Sequence, residues 1–153
     1  MTVAFIGESN FKWTAATTRK FNRKITKMVK KTGARTFLFT HQGNFDLLCW
    51  IIVTKLRSRF RDITRIYVRI NDEEDDPYNS TALMFDKTFL LTEARDAGIH
   101  AKFVRNDVMV DMCDLLVTYF QTKKLKTPRI KGDGETAAEK AQKMKKQVLN
   151  LYS

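Results

Sequence analysis

The residues best suited to chemistry cluster in one stretch, Arg105-Asn106-Asp107-Val108-Met109-Val110-Asp111-Met112-Cys113-Asp114. Arg105 and Asn106 are expected to open a helix, where free backbone N–H groups and the helix dipole favour an anion. Asp107, Asp111 and Asp114 fall at i, i+4 and i+7, so they are expected to share one side of that helix. A cation at a helix start with carboxylates behind it suits a phosphate-bearing ligand whose hydroxyls must be oriented. The same residues also fit a structural role, with Asp114 ending the helix and Arg105 pairing with Asp107 or with another carboxylate.

The elements that would hold these groups follow from periodicity. Val104, Val108, Met109 and Met112 recur at the spacing of a buried helical stripe, and Leu115 to Phe120 reads as a buried strand. Upstream, Met1 to Gly7 reads as a first strand and Gly7-Glu8-Ser9-Asn10 as the turn at its carboxyl end. Thr14 to Thr32 is an amphipathic helix with Phe21, Ile25, Met28 and Val29 on one side, closed by Gly33. Strands follow at Thr36 to Thr40 and Ile63 to Ile70. Between them His41-Gln42-Gly43-Asn44-Phe45-Asp46 turns into an apolar helix that calls for cover on more than one face, by another element or a second copy of the chain. The acidic block Asp72 to Asp76 with Pro77 to Ser80 is expected to form a lid or partner-contact loop. Phe85 to Leu91 suits a short helix or a short strand, and Thr92 to Arg95 a helix. A basic loop, Gln121 to Asp133, leads to a helix opening at Gly134-Glu135-Thr136, and Gln147 to Tyr152 is a closing strand. Alternation of strands and helices predicts a single domain over residues 1–153, an α/β three-layer Rossmann-like sandwich with a mostly parallel sheet.

Composition narrows the partners. The 153 residues include 43% hydrophobic and 11% aromatic ones, enough for a real core. No apolar run reaches bilayer length, so no membrane partner is expected. Cys49 and Cys113 lie in apolar stretches, which suggests reduced thiols and a cytoplasmic protein. His41 and His100 are isolated and no Cys-x-x-Cys occurs, so no metal site is expected, and no cofactor is implied. The net charge is +11, and Arg19 to Arg35 holds eight basic residues and no acid. Together with Lys123 to Lys131, that excess predicts weak, non-specific attraction to nucleic acid.

Three patterns carry a resemblance to a known family. Arg105-Asn106-x-x-Met109-Val110-Asp111-x-x-Asp114-Leu115-Leu116-Val117 resembles a run found in YpsA-like proteins. These belong to the SLOG superfamily, with the LOG phosphoribohydrolases and the DNA-processing protein A family as more distant members. Gly43-Asn44-Phe45-Asp46 is similar to the end of that family's first glycine turn, and Gly134-Glu135-Thr136-Ala137 to its second. The chain departs from the family where Glu8-Ser9 replaces histidine-arginine, Thr40-His41-Gln42 replaces paired glycines, and Glu135 replaces a glycine.

The resemblance implies a binding domain for a nucleotide or nucleotide-derived ligand at the carboxyl ends of the strands. Its expected contacts are Gly7, Ser9, Gly43, Asn44, Asp46, Arg105, Asn106, Asp111, Asp114, Gly134 and Thr136. A second function is N-glycosidic hydrolysis of a nucleoside monophosphate, with Glu135 and Glu8 as catalytic carboxylates. A third is a basic nucleic-acid or protein-interaction module that has lost the small ligand.

Overall fold

The computed structural model describes residues 1–8, 11–70, 84–121 and 131–153. Strands β1 (Thr2–Gly7), β2 (Thr36–Phe39), β3 (Thr64–Arg69), β4 (Lys87–Leu90), β5 (Leu115–Tyr119) and β6 (Gln147–Asn150) form one sheet. Their order is β4-β3-β2-β1-β5-β6, and every neighbouring pair is parallel. Helices α1 (Ala15–Thr32), α2 (Gly43–Leu56), α3 (Thr92–Asp96), α4 (Ala101–Met112) and α5 (Asp133–Lys143) cover it. The fold is the α/β three-layer sandwich that the alternating pattern predicts.

Side chains of a strand alternate between faces, and this divides the core in two. Val3, Phe5, Phe37, Phe39 and Val117 pack with Phe21, Ile25 and Val29 of α1 and Leu48, Ile52 and Val53 of α2. Ala4, Ile6, Leu38 and Leu116 face the other way, onto Met109 and Val110 of α4 and Ala137, Ala138 and Ala141 of α5. The small residues of α5 let its backbone come close to β1 and β5, a placement that matters for the site.

Local chemistry sets the boundaries. Thr14 caps α1 by accepting from Thr17 N at 3.2 Å, and Thr17 Oγ1 accepts from Thr14 N at 2.9 Å. Gly33 closes the helix with φ 70°. Two lysines of the last segment fasten α4. Lys140 pairs with Asp107 at 2.7 Å and Asp111 at 3.0 Å, while Lys146 Nζ donates to Val110 O at 2.7 Å and Asp111 O at 2.6 Å. Lys146 thus satisfies carbonyls at the helix's negative end.

The structure corrects two expectations here. α4 begins at Ala101, after a 3₁₀ turn at Gly98–His100, so Arg105 and Asn106 lie in its second turn and not at its start. Their backbone amides are therefore engaged within the helix, and only their side chains are free to meet a ligand. Asp114 lies beyond the last helical residue, Met112. Its carboxylate accepts from Thr2 N at 2.7 Å and its amide donates to Thr2 O at 2.8 Å, which ties together the amino ends of β5 and β1. The ambiguous segment resolves into β4 and α3. The acidic block, the Pro77 turn and most of the basic loop fall outside the described residues.

Gly7 ends β1 with the Phe45 ring directly over it, and any β-carbon there would overlap that ring. Phe45 is buried and meets Phe11 and Phe21 edge-on, at centroid distances of 6.1 and 5.8 Å. The contact sets where the start of α2 sits relative to β1. Gly7→Ala is expected to destabilise the fold by about 1–3 kcal/mol in urea titrations, because a packed ring must move. Phe45→Leu in the same chain should recover part of the loss, which a double-mutant cycle would measure.

Candidate functional site

In open parallel sheets, ligands collect outside the carboxyl ends of the strands where the chain order reverses. Here that point lies between β1 and β5, since β2, β3 and β4 extend from one side of β1 and β5 and β6 from the other. A cavity of about 390 Å³ opens beside it, within the usual range for small-molecule sites. Its wall takes Gly7 and Glu8 from the end of β1, Thr40, Gln42 and Gly43 from the β2–α2 turn, and Phe45 and Asp46 from α2. α4 adds Lys102, Arg105 and Asn106, and the head of α5 adds Asp133.

The β2–α2 turn is held by Asp46. Its Oδ1 accepts from Thr40 N at 2.8 Å and Thr40 Oγ1 at 3.1 Å, and its Oδ2 accepts from His41 N at 3.0 Å. His41 has φ 55° and Gly43 φ 80°. Gly43 adopts that conformation freely, whereas His41 is strained there, and the carboxylate clamp fixes it. Asp46 is only 4% exposed, and burial pushes its pKa from 3.8 up to about 6, against the opposing pull of Thr40, His41 and Arg105.

Arg105 is the cation of the site and is also only 4% exposed. Its Nε and Nη2 both donate to Asn106 Oδ1 at 3.2 Å, and its Nη1 donates to Gln42 Oε1 at 3.2 Å. These acceptors are neutral, and among the described residues no carboxylate forms a direct ion pair with it. Burial lowers its pKa, while Asp46, Tyr67 and Asp133 act from farther off to raise it. A guanidinium has five N–H donors, so some remain for a ligand. Lys102 stands one turn earlier on the same helix and also lines the cavity.

The structure brings together Gly7, Glu8, Gly43, Asp46, Arg105 and Asn106 of the sequence-predicted residues. It separates the others. Asn44 lines a smaller hollow of about 240 Å³ with His41 and Trp50. Thr136 lines the groove between α4 and α5. Gly134 is buried against Thr118 and the Tyr119 carbonyl, close to Glu8 but behind the cavity wall. Glu135 is not part of the wall either. Asp111 is committed to Lys140, and Asp114 sits at the opposite, amino edge of the sheet. Neither carboxylate lines the cavity: Asp111 sits near the far end of α4, and Asp114 lies past that end at the start of β5. Ser9 lies outside the described residues.

Sequence reading missed Lys102, Gln42, Thr40 and Asp133. Lys102 precedes Arg105 by three residues, the spacing of one helical face, and becomes legible once the helix is started at Ala101. Gln42 and Thr40 are exposed as candidates only by the turn geometry that Asp46 imposes. No protein-family model matches the chain, and no curated protein sequence matches it. Among the described residues no group of histidine, cysteine, aspartate and glutamate could hold a metal ion, and no helix is long and apolar enough to cross a membrane.

Asp46 predicts a pH signature. Its folded pKa lies above the unfolded value, so the folded state binds the proton more tightly. That contribution is fully present below about pH 4 and is lost as pH rises through about 6. The full loss is worth up to about 3 kcal/mol. Asp46→Asn should remove this slope between pH 4 and 6 in denaturant titrations. It should also lower stability throughout, since an amide nitrogen cannot accept from His41 N.

Proposed function

We propose that this protein is a binding domain for a nucleotide-derived ligand, held at the carboxyl ends of β1 and β2 through one anionic group. The observation that carries this is Arg105: a buried guanidinium with unspent donors, facing a polar cavity, with only neutral hydrogen-bond partners among the described residues. A buried charge left without a counter-ion costs free energy unless something supplies one, and a ligand's phosphate is a fitting supplier. Lys102 adds a second positive charge to the same wall. The position beside the strand-order reversal and the resemblance to YpsA-like members of the SLOG superfamily support the same conclusion.

A second reading, hydrolysis of an N-glycosidic bond in the same kind of ligand, draws support from Glu8, a carboxylate in the cavity wall. Glu135, its expected companion, is outside that wall. The basic surface of α1 is largely exposed, and it supports only salt-sensitive, sequence-blind attraction to nucleic acid. Two of its lysines are already used, since Lys20 donates to Tyr152 O at 2.7 Å and Lys24 to Ser153 O.

Native mass spectrometry of the purified protein should reveal a co-purifying nucleotide-derived mass and, at once, the number of chains bound together. Calorimetric titration with adenosine monophosphate then tests the site. Arg105→Ala should weaken binding by about 10- to 100-fold, the worth of a charged hydrogen bond to phosphate. The melting temperature should stay within about 3 °C, because no direct ion pair is broken among the described residues and Asp46 keeps its bonds from Thr40 and His41. A mutant that unfolds instead would make Arg105 a structural residue and end the proposal. Release of free base by the wild type, lost in Glu8→Gln, would favour the hydrolase.

A further inference from the structure

The head of α5 is where a ligand's phosphate would be expected in a sheet of this kind, because the first amides of an eleven-residue helix point there. In this chain a carboxylate stands beside that place. Glu8 leaves the end of β1 and lays its carboxylate across Gly132, the N-cap of α5, so closely that any side chain at Gly132 would collide with it. Glu8 Oε1 is buried, and it would lie 3.4 Å from a β-carbon at Gly134. A second donor waits at the same spot. Thr118 is fully buried, and its hydroxyl, which would be 2.6 Å from a β-carbon at Gly134, has no hydrogen-bond partner among the described residues.

We propose that Glu8 is a built-in anion that stands over the head of α5, shields it from a ligand's phosphate and thereby sets the specificity of the cavity. With that place shielded, the anionic group of a ligand is directed to Arg105 and Lys102 across the cavity. A second phosphate would have to approach the head of α5 against Glu8 and Asp133, and like charges at contact distance repel strongly in a partly buried site. The cavity therefore selects ligands with one anionic group and rejects diphosphates and longer chains. This rests on the binding-domain reading above, and it adds what that reading leaves open: why the glycine turn at residues 132–134 keeps its small residues without serving a ligand phosphate. The glycines make room for Glu8.

The test uses inorganic phosphate and inorganic pyrophosphate as probes, titrated calorimetrically into the full chain. Wild type should bind phosphate and bind pyrophosphate more weakly. Glu8→Ala removes both bulk and charge, and should bind pyrophosphate about tenfold more tightly, the worth of one charge-assisted contact, with phosphate changed less. Asp133 and Glu135 remain in the first turn and limit the gain. Glu8→Gln keeps the bulk and loses only the charge, so its gain should be smaller, roughly threefold, and it serves if the alanine variant does not fold. Adding Arg105→Ala separates the two ideas. If wild type binds neither probe but Glu8→Ala gains affinity that survives Arg105→Ala, the shielded site is real and the Arg105 reading fails. If a folded Glu8 variant shows the wild-type affinity for pyrophosphate, the proposal is overturned.

Discussion

The pocket depends on a single buried carboxylate in its wall. Asp46 draws the Thr40 and His41 amides onto itself, and in doing so bends the chain sharply between β2 and α2. Without that clamp, His41 would relax from its left-handed conformation, and Gln42 would lose its fixed position beneath Arg105. The cost is a negative charge buried in the cavity wall, which explains its raised pKa. Arg105, itself buried and without a direct counter-ion among the described residues, is the other half of the same arrangement. Each lowers the expense of burying the other without making contact, and both line the cavity.

Much of this fold is written locally. The stripe of Phe21, Ile25, Met28 and Val29 and the glycine that ends α1 are sufficient to place that helix, and all of them appear where expected. The central strands are short apolar runs between turns, and such runs are legible because both faces of a parallel sheet are buried. The site was less legible. Phe103 is 62% exposed, so the start of α4 is not marked by a buried stripe, and a helix read from Arg105 onward loses its first turn. That one displacement turned a side-chain site into an expected backbone site.

Charge was harder still to read from spacing. Asp107, Asp111 and Asp114 looked like one functional set, yet two serve a lysine of α5 and the third joins strand ends. Spacing along a helix says which residues share a side, but not what that side faces. Glu8, by contrast, is a lone acid after a strand, and nothing nearby in sequence hints that its partner surface lies at Gly132. Contacts of that span become visible only when the sheet brings β1 and the segment after β5 side by side.

The lysine ties to α4 have a mechanical side. Lys140 and Lys146 grip the helix from Asp107 to Asp111, while ahead of Arg105 stand the exposed Phe103, a one-turn 3₁₀ segment and the almost fully exposed Ile99. The helix is a beam clamped at its far end. Bending of this helix would displace Lys102 and Arg105 more than the clamped turns, and would change the width of the cavity. Amide hydrogens of residues 101–105 should accordingly exchange with solvent faster than those of residues 109–112, and a ligand that spans the cavity would slow the first group alone.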